Sequence, residues 1–125
     1  MITKIVNKIK EENGFTYSLL TGEFPKSGYA VSLKDHEQKI KLSGEATLAS
    51  LGPILGNYIK KNIEKLLTLD SFYYVGGWID DNTLYLDIST IRMDRLKAER
   101  LGKKNEQISI FDLENKKEIK LDYGK

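Results

Sequence analysis

Three aspartates, Asp80, Asp81 and Asp87, lie in one stretch, SFYYVGGWIDDNTLYLDIST (71–90), that also carries Tyr73, Tyr74, Trp78 and Tyr85. Carboxylates so grouped hold a divalent cation or divide the roles of general acid and general base, which would make a small metal-dependent hydrolase or nuclease. Asp and Asn at a hairpin tip also serve turn geometry alone, and that reading is the stronger one for Asp80, Asp81 and Asn82. The aromatic residues offer a different chemistry: their ring faces stack on bases or anchor a protein partner, while the alternative for most of them is packing in the sheet.

His36, the single histidine, stands between Asp35 and Glu37. A general base or a metal ligand is the sharper reading, yet in a polar turn without a visible nucleophile the ring is expected to be solvated. The chain has no cysteine, which removes thiolate nucleophiles, disulfides and Cys-ligated metals. With one histidine and no cysteine, a transition-metal site is not expected, and neither a metal nor a cofactor is predicted. Catalytic residues are likewise not predicted.

Residues 92–104 hold Arg92, Arg95, Lys97, Arg100, Lys103 and Lys104 against only Asp94 and Glu99. On a helix, Lys97, Arg100 and Lys104 share a stripe suited to phosphates or to an acidic protein surface. The plainer reading is a solvated face with the intrahelical pairs Asp94–Lys97 and Glu99–Lys103. Net charge is +2, so the chain does not imitate the dense negative charge of DNA, and it lacks the clear basic excess of a dedicated duplex binder.

These residues need a scaffold, and 125 residues with 40% apolar and 30% charged side chains are enough for one core and one domain, 1–125. Ile2, Ile5, Val6 and Ile9 fall at helical spacing ahead of Gly14, which predicts a short amphipathic helix ended by that glycine; Lys4, Lys8 and Lys10 mark its wet face. Phe15 and Tyr17 then alternate, and after TGEFPKSG the residues Tyr29, Val31 and Leu33 alternate again, which reads as a hairpin with a long connection. Ile40 and Leu42 suggest a third strand before Ser43-Gly44. Leu48, Leu51, Leu55, Tyr58, Ile59, Ile63, Leu66 and Leu67 give the strongest helical pattern, interrupted at Gly52-Pro53; either one kinked helix or a short helix followed by a main one satisfies it. Lys60, Lys61 and Lys65 should point outward from it.

The aromatic stretch itself reads as a hairpin with Phe72, Tyr74, Gly76 and Trp78 on one face of the first arm and Tyr73, Val75, Gly77 and Ile79 on the other. In the second arm Leu84, Leu86 and Ile88 form an apolar face opposite Thr83, Tyr85, Asp87 and Ser89, which reads as the wet face. Gly76-Gly77 inside a strand makes room either for Trp78 or the main helix, or for a ligand or partner strand over bare backbone. A helix capped by Asp94 and ended near Gly102 follows, then a hairpin of Ile108, Ile110 and Phe111 with Ile119 and Leu121. The order predicts an α+β domain, an antiparallel sheet of hairpins with two or three helices mainly on one face. No signal peptide or membrane span is legible, which predicts a cytoplasmic protein.

The runs TGEFPKSGYAVSL, FYYVGGWIDDNTLYLDIS and RLKAERLGKKNEQISIFDLENKKEI, covering Thr21 to Leu33, Gly77 to Ser89 and Arg95 to Leu113, resemble a group of small uncharacterised modules carried by phages, plasmids and conjugative elements. The resemblance implies a setting in which accessory proteins protect incoming DNA against host defence, CRISPR and restriction systems included. It brings no family catalytic residues, and it directs attention to Gly76 to Trp78 and to the basic helix.

The expectation is therefore a non-enzymatic binding protein from a mobile element that inhibits a defence complex, of anti-CRISPR type, through Tyr73, Tyr74, Trp78 and Tyr85 with Arg92, Arg95, Lys97, Arg100, Lys103 and Lys104. Its partner would be a protein, such as a host defence nuclease or its ribonucleoprotein. The alternative is a nucleic-acid-binding module using the basic helix, and the third is the metal-dependent hydrolase.

Overall fold

A computed structural model describes residues 1–42, 46–69 and 72–124, with side chains throughout except at 46–48. Helix α1, Ile2–Glu12, buries Ile5 and Ile9 completely, as the spacing requires. Its end differs from expectation: Asn13, at φ 62, is the left-handed cap and donates its N–H to the Ile9 carbonyl. Gly14 instead opens strand β1, Gly14–Tyr17. Asparagine tolerates the left-handed region because its short polar side chain compensates locally, so it competes with glycine for this position.

Strands β2, Tyr29–Ser32, and β3, Gln38–Lys41, precede helix α2, Ala46–Lys61, and the single turn α3, Ile63–Leu66. Pro53 lies inside α2, so of the two readings the continuous helix is the one realised. Leu51, Leu55, Tyr58 and Ile59 are buried beneath it, each fully buried aliphatic contributing about 1.5–3 kcal/mol. Strands β4, Tyr74–Asp80, and β5, Thr83–Arg92, are followed by helix α4, Arg95–Lys104, and the hairpin β6, Ser109–Asp112, with β7, Lys117–Lys120. The Ser43-Gly44 turn, Ser71 and the Leu48 side chain lie outside the described residues.

The strands form one antiparallel sheet of order β1-β4-β5-β2-β6-β7, with β3 paired to β5 beyond the end of β2. The chain is thus an α+β fold. The expected β1–β2 hairpin does not form. Strand β1 pairs β4, with Phe15 opposite Gly77 and Tyr17 opposite Val75, and the β4–β5 hairpin separates it from β2. The physical reason is that the long connection fixes no register, while Phe15 fits the space that Gly77 leaves open; a Cβ there would lie 2.9 Å from its ring. The connection folds back on α1 instead, where Lys4 Nζ donates to the Gly22 carbonyl and Phe24 packs edge-on against Tyr17.

Helices α1 and α2 cover Val75, Leu84, Leu86 and Ile88, and α4 covers a second cluster of Val31, Ala98, Ile110 and Ile119. Strand alternation places both clusters on the same side of the sheet, so the helices share one face. Gly102 is inside α4 and not its terminator; a Cβ there would meet Leu121 at 2.8 Å and Ile110 at 3.0 Å, so the bare backbone lets the helix approach the last hairpin. Among the described residues no helix is long and apolar enough to cross a membrane.

Candidate functional site

The β4–β5 hairpin turns through Asp81 and Asn82, whose φ angles of 49 and 57 are those of a two-residue turn with both central residues left-handed. That turn fixes the register: Asp80 faces Thr83, Trp78 faces Tyr85, Gly76 faces Asp87 and Tyr74 faces Ser89. All of these except the turn residues themselves sit on the helix-free face of the sheet. Trp78 and Tyr85 stack with ring centroids 5.0 Å apart and planes inclined by 12°, and Trp78 remains 43% exposed. Lys39, opposite Tyr85 on β3, places its ammonium 5.8 Å from the Tyr85 ring centre. A cation, two aromatic rings and a bare glycine edge thus form one row across the face.

The next row is polar and buried. Asp87, expected on the wet face, is only 4% exposed. Its burial follows from the strand on its other side. Leu33 donates to the Ile88 carbonyl, and Gln38 faces Leu86, so the four residues Lys34 to Glu37 leave the sheet opposite the single residue Asp87. This excursion carries Glu37 toward Asp87 and lets Tyr58, from α2, donate its hydroxyl to the His36 carbonyl at 2.5 Å. His36 therefore contributes a backbone acceptor here.

Ser32 Oγ donates to Asp87 Oδ2 at 2.9 Å, while Oδ1 points at Gly76, where a Cβ would lie 2.6 Å away. Gly76 therefore makes room for the Asp87 carboxylate, and Gly77 for Phe15 and Leu86; the sequence reading expected the pair to make room for Trp78 or the main helix, and neither glycine does so. Ser89 Oγ is buried and has no hydrogen-bond partner among the described residues. With no cation beside it among the described residues, Asp87 is pushed up to about 6, chiefly by burial, against the Ser32 hydrogen bond and with help from the Glu37 charge. Burial, and then the charges of Asp87 and Glu37, raise the Tyr58 phenol.

A second buried carboxylate shows what satisfaction looks like. Asp112 accepts from the Glu114 and Asn115 backbone N–H groups through Oδ1 and from Asn115 Nδ2 through Oδ2, and these bonds, that of the Asn115 side chain first, hold its pKa down. Among the described residues Asp87 has one side-chain hydrogen bond, from Ser32, and no such cage.

The remaining candidates are placed apart. Tyr73 faces the helices, half-buried, with Lys65 Nζ 4.6 Å from its ring centre. Asp80 and Asp81 stand at the hairpin tip, four residues along β5 from Asp87, roughly 13 Å by strand rise. Among the described residues no group of three or more histidine, aspartate or glutamate side chains is arranged to hold a metal. Helix α4 lies on the opposite side of the sheet from the Trp78–Tyr85 row, so the aromatic and basic candidates do not form one surface. The expected ion pairs are also rearranged: Asp94 caps the helix by accepting from the Lys97 backbone N–H, Glu99 pairs with Arg95 at 3.0 Å, and Lys103 approaches the Tyr123 ring. Arg92 donates to Thr90 Oγ1 and the Ile91 carbonyl. Lys97, Arg100 and Lys104 are exposed and form no ion pair among the described residues.

Sequence reasoning did not single out Ser32, Ser89 or Lys39. One signal was present: once the Asp81-Asn82 turn sets the register, a glycine falls opposite an aspartate inside a strand, which is the pattern of a side chain needing its neighbour's space. Compared with known protein families, with curated proteins and with solved structures, the chain matches none.

Proposed function

We propose that this chain is a non-enzymatic binding protein of a mobile genetic element, acting in the cytoplasm of a bacterial host, where it inhibits a defence complex such as a CRISPR effector or a restriction enzyme. The observation that carries the binding reading is the Trp78–Tyr85 stack on the helix-free face, with Trp78 exposed beside a buried polar row. Large aromatic side chains held rigid by a partner ring lose little entropy on binding, and Trp and Tyr dominate the energetics of protein interfaces. The net charge of +2 argues against DNA imitation as the means of inhibition. The likeness of the Thr21 to Leu33, Gly77 to Ser89 and Arg95 to Leu113 runs to mobile-element modules supplies the setting.

The test is expression of the protein in a host with active CRISPR and restriction systems, scoring survival of transferred DNA and recovering bound proteins after nuclease treatment. Protection together with a retained defence protein supports the reading; neither one appearing removes it.

A second reading is favoured by a separate observation, the exposed stripe of Lys97, Arg100 and Lys104, which forms no ion pair among the described residues. In it α4 lies along a phosphate backbone, and affinity falls steeply with salt. Failure to shift any single- or double-stranded oligonucleotide at low salt ends it.

A further inference from the structure

Strand β3 leaves one edge of the sheet open. Its one strand neighbour among the described residues is β5, with Gln38 opposite Leu86, Lys39 opposite Tyr85, Ile40 opposite Leu84 and Lys41 opposite Thr83. Just past the end of β3, Leu42 donates its N–H to the Asn82 carbonyl. Antiparallel strands exchange such bonds at every second residue, so Gln38 and Ile40 turn their backbone groups toward β5, while Lys39 and Lys41 turn theirs outward. Among the described residues no hydrogen bond satisfies those outward groups. A row of unpaired N–H and C=O groups at strand spacing is a template for one more strand.

The side chains say which strand fits. Lys39 and Lys41 share the helix-free face, both exposed and neither in an ion pair among the described residues. Residues two apart on a strand stand roughly 7 Å from one another. Lys39 leans over the Tyr85 ring, back from the edge, and so leaves its own backbone groups open. Between the lysines Ile40 lies on the helix side, half-buried against the main core. A strand bonded to Lys39 and Lys41 sets the residues opposite them on the lysine face and the residue between beside Ile40. Carboxylates suit the two outer positions, and an apolar side chain suits the middle one. A second copy of β3 does not fit, because pairing two such edges sets lysine opposite lysine. At the β7 edge, where Leu121 donates to the Ile108 carbonyl, the same alternation turns Glu118 and Lys120 outward, and their opposite charges give no such preference.

We propose that the β3 edge takes an extended acidic segment of the protein partner, of pattern acid, apolar, acid, as one further antiparallel strand beside the row of Lys39, Tyr85 and Trp78. The inference rests on the proposed reading in assuming a protein partner, and it names the chemistry by which that partner is recognised. A phosphate backbone would also attract the lysines, but its oxygens only accept hydrogen bonds and leave the outward carbonyls of the edge unpaired.

The experiment is an amide NMR titration of the intact protein with acetyl-Thr-Glu-Val-Glu-Thr-amide. The Lys39 and Lys41 N–H signals are expected to move downfield along one saturable curve and to gain protection from hydrogen exchange. The same peptide N-methylated at both glutamates keeps its charge and loses the donors that reach the edge, so it should bind at least several-fold more weakly. Acetyl-Thr-Lys-Val-Lys-Thr-amide should leave the wild type unmoved, and the double variant Lys39→Glu, Lys41→Glu should exchange the two preferences. No saturable shift at Lys39 and Lys41, equal binding of the N-methylated peptide, or the same amide shifts on adding a single-stranded oligonucleotide overturns the inference. These three outcomes are read on the wild type, so they stand even where the double variant fails to fold. Because no host protein is needed, a negative result here beside a retained defence protein sinks the edge site alone and leaves the inhibitor reading standing. Peptide binding without protection of transferred DNA does the reverse.

Discussion

Gly76 stands directly opposite Asp87, so close that the first carbon of any side chain at Gly76 would lie 2.6 Å from Asp87 Oδ1. A glycine inside a strand ordinarily weakens it by roughly 0.5–1 kcal/mol relative to alanine. Here the clash outweighs that gain, since the carboxylate is pinned by Ser32 and buried. Gly76→Ala should therefore destabilise the fold by about 1–3 kcal/mol in chemical denaturation. In an Asp87→Ala background the same substitution should become neutral or stabilising, and this change of sign is the check on the relationship.

Gly77→Ala makes the contrasting case. Its Cβ would lie 2.8 Å from the Tyr85 carbonyl oxygen and 2.9 Å from both Leu86 and Phe15, and a backbone atom in a central strand cannot yield. Denaturation should show a loss at least as large as that of Gly76→Ala, unchanged when Asp87 is replaced.

Asp87 also gives the fold a pH dependence whose sign is opposite to that of a salt-bridged aspartate. Its pKa is raised in the folded state, from an ordinary 3.8 to about 6, so the native state binds the proton more tightly than the unfolded chain. The stabilising contribution is complete below the unfolded value and is lost as pH rises through about 6, a loss on the order of 3 kcal/mol for the charged form. Asp87→Asn should thus be more stable than the wild type near neutral pH and lose that advantage toward about pH 4, as read from urea midpoints across the range.

The Trp78–Tyr85 pair should separate stability from binding. A double-mutant cycle to alanine is expected to give a coupling of about 0.5–1.5 kcal/mol, the usual value for a ring pair in contact. Trp78→Ala alone should leave the fold intact by calorimetry while removing partner retention.

Much of the scaffold was legible because its signals are periodic or local. The stripe Ile5 and Ile9, the alternation Leu84, Leu86 and Ile88, the Asp94 cap and a turn in the Asp80-Asp81-Asn82 stretch, with Asp80 itself closing β4, each follow from spacing or residue type within a few positions. What was not legible depends on partners distant in sequence. Nothing local tells that β1 pairs β4 across about sixty residues, or that the Lys34 to Glu37 excursion will close over Asp87 and turn an expected wet face into a buried one. The separation of the basic helix from Trp78 and Tyr85 onto opposite sides follows from α4 packing on Val31 and Ile110, again a long-range contact. Ser32 and Ser89 gain their interest only once Asp87 is known to be buried.

The central claim is that binding runs through the Trp78–Tyr85 face. The most direct measurement is retention of host protein by three tagged forms, after nuclease treatment and at moderate salt: wild type, Trp78→Ala, and the triple charge reversal of Lys97, Arg100 and Lys104 to glutamate. The account predicts that wild type and the α4 variant retain the same defence protein and that Trp78→Ala does not. Retention by Trp78→Ala with loss in the α4 variant would contradict it and place the interface on the other side of the sheet.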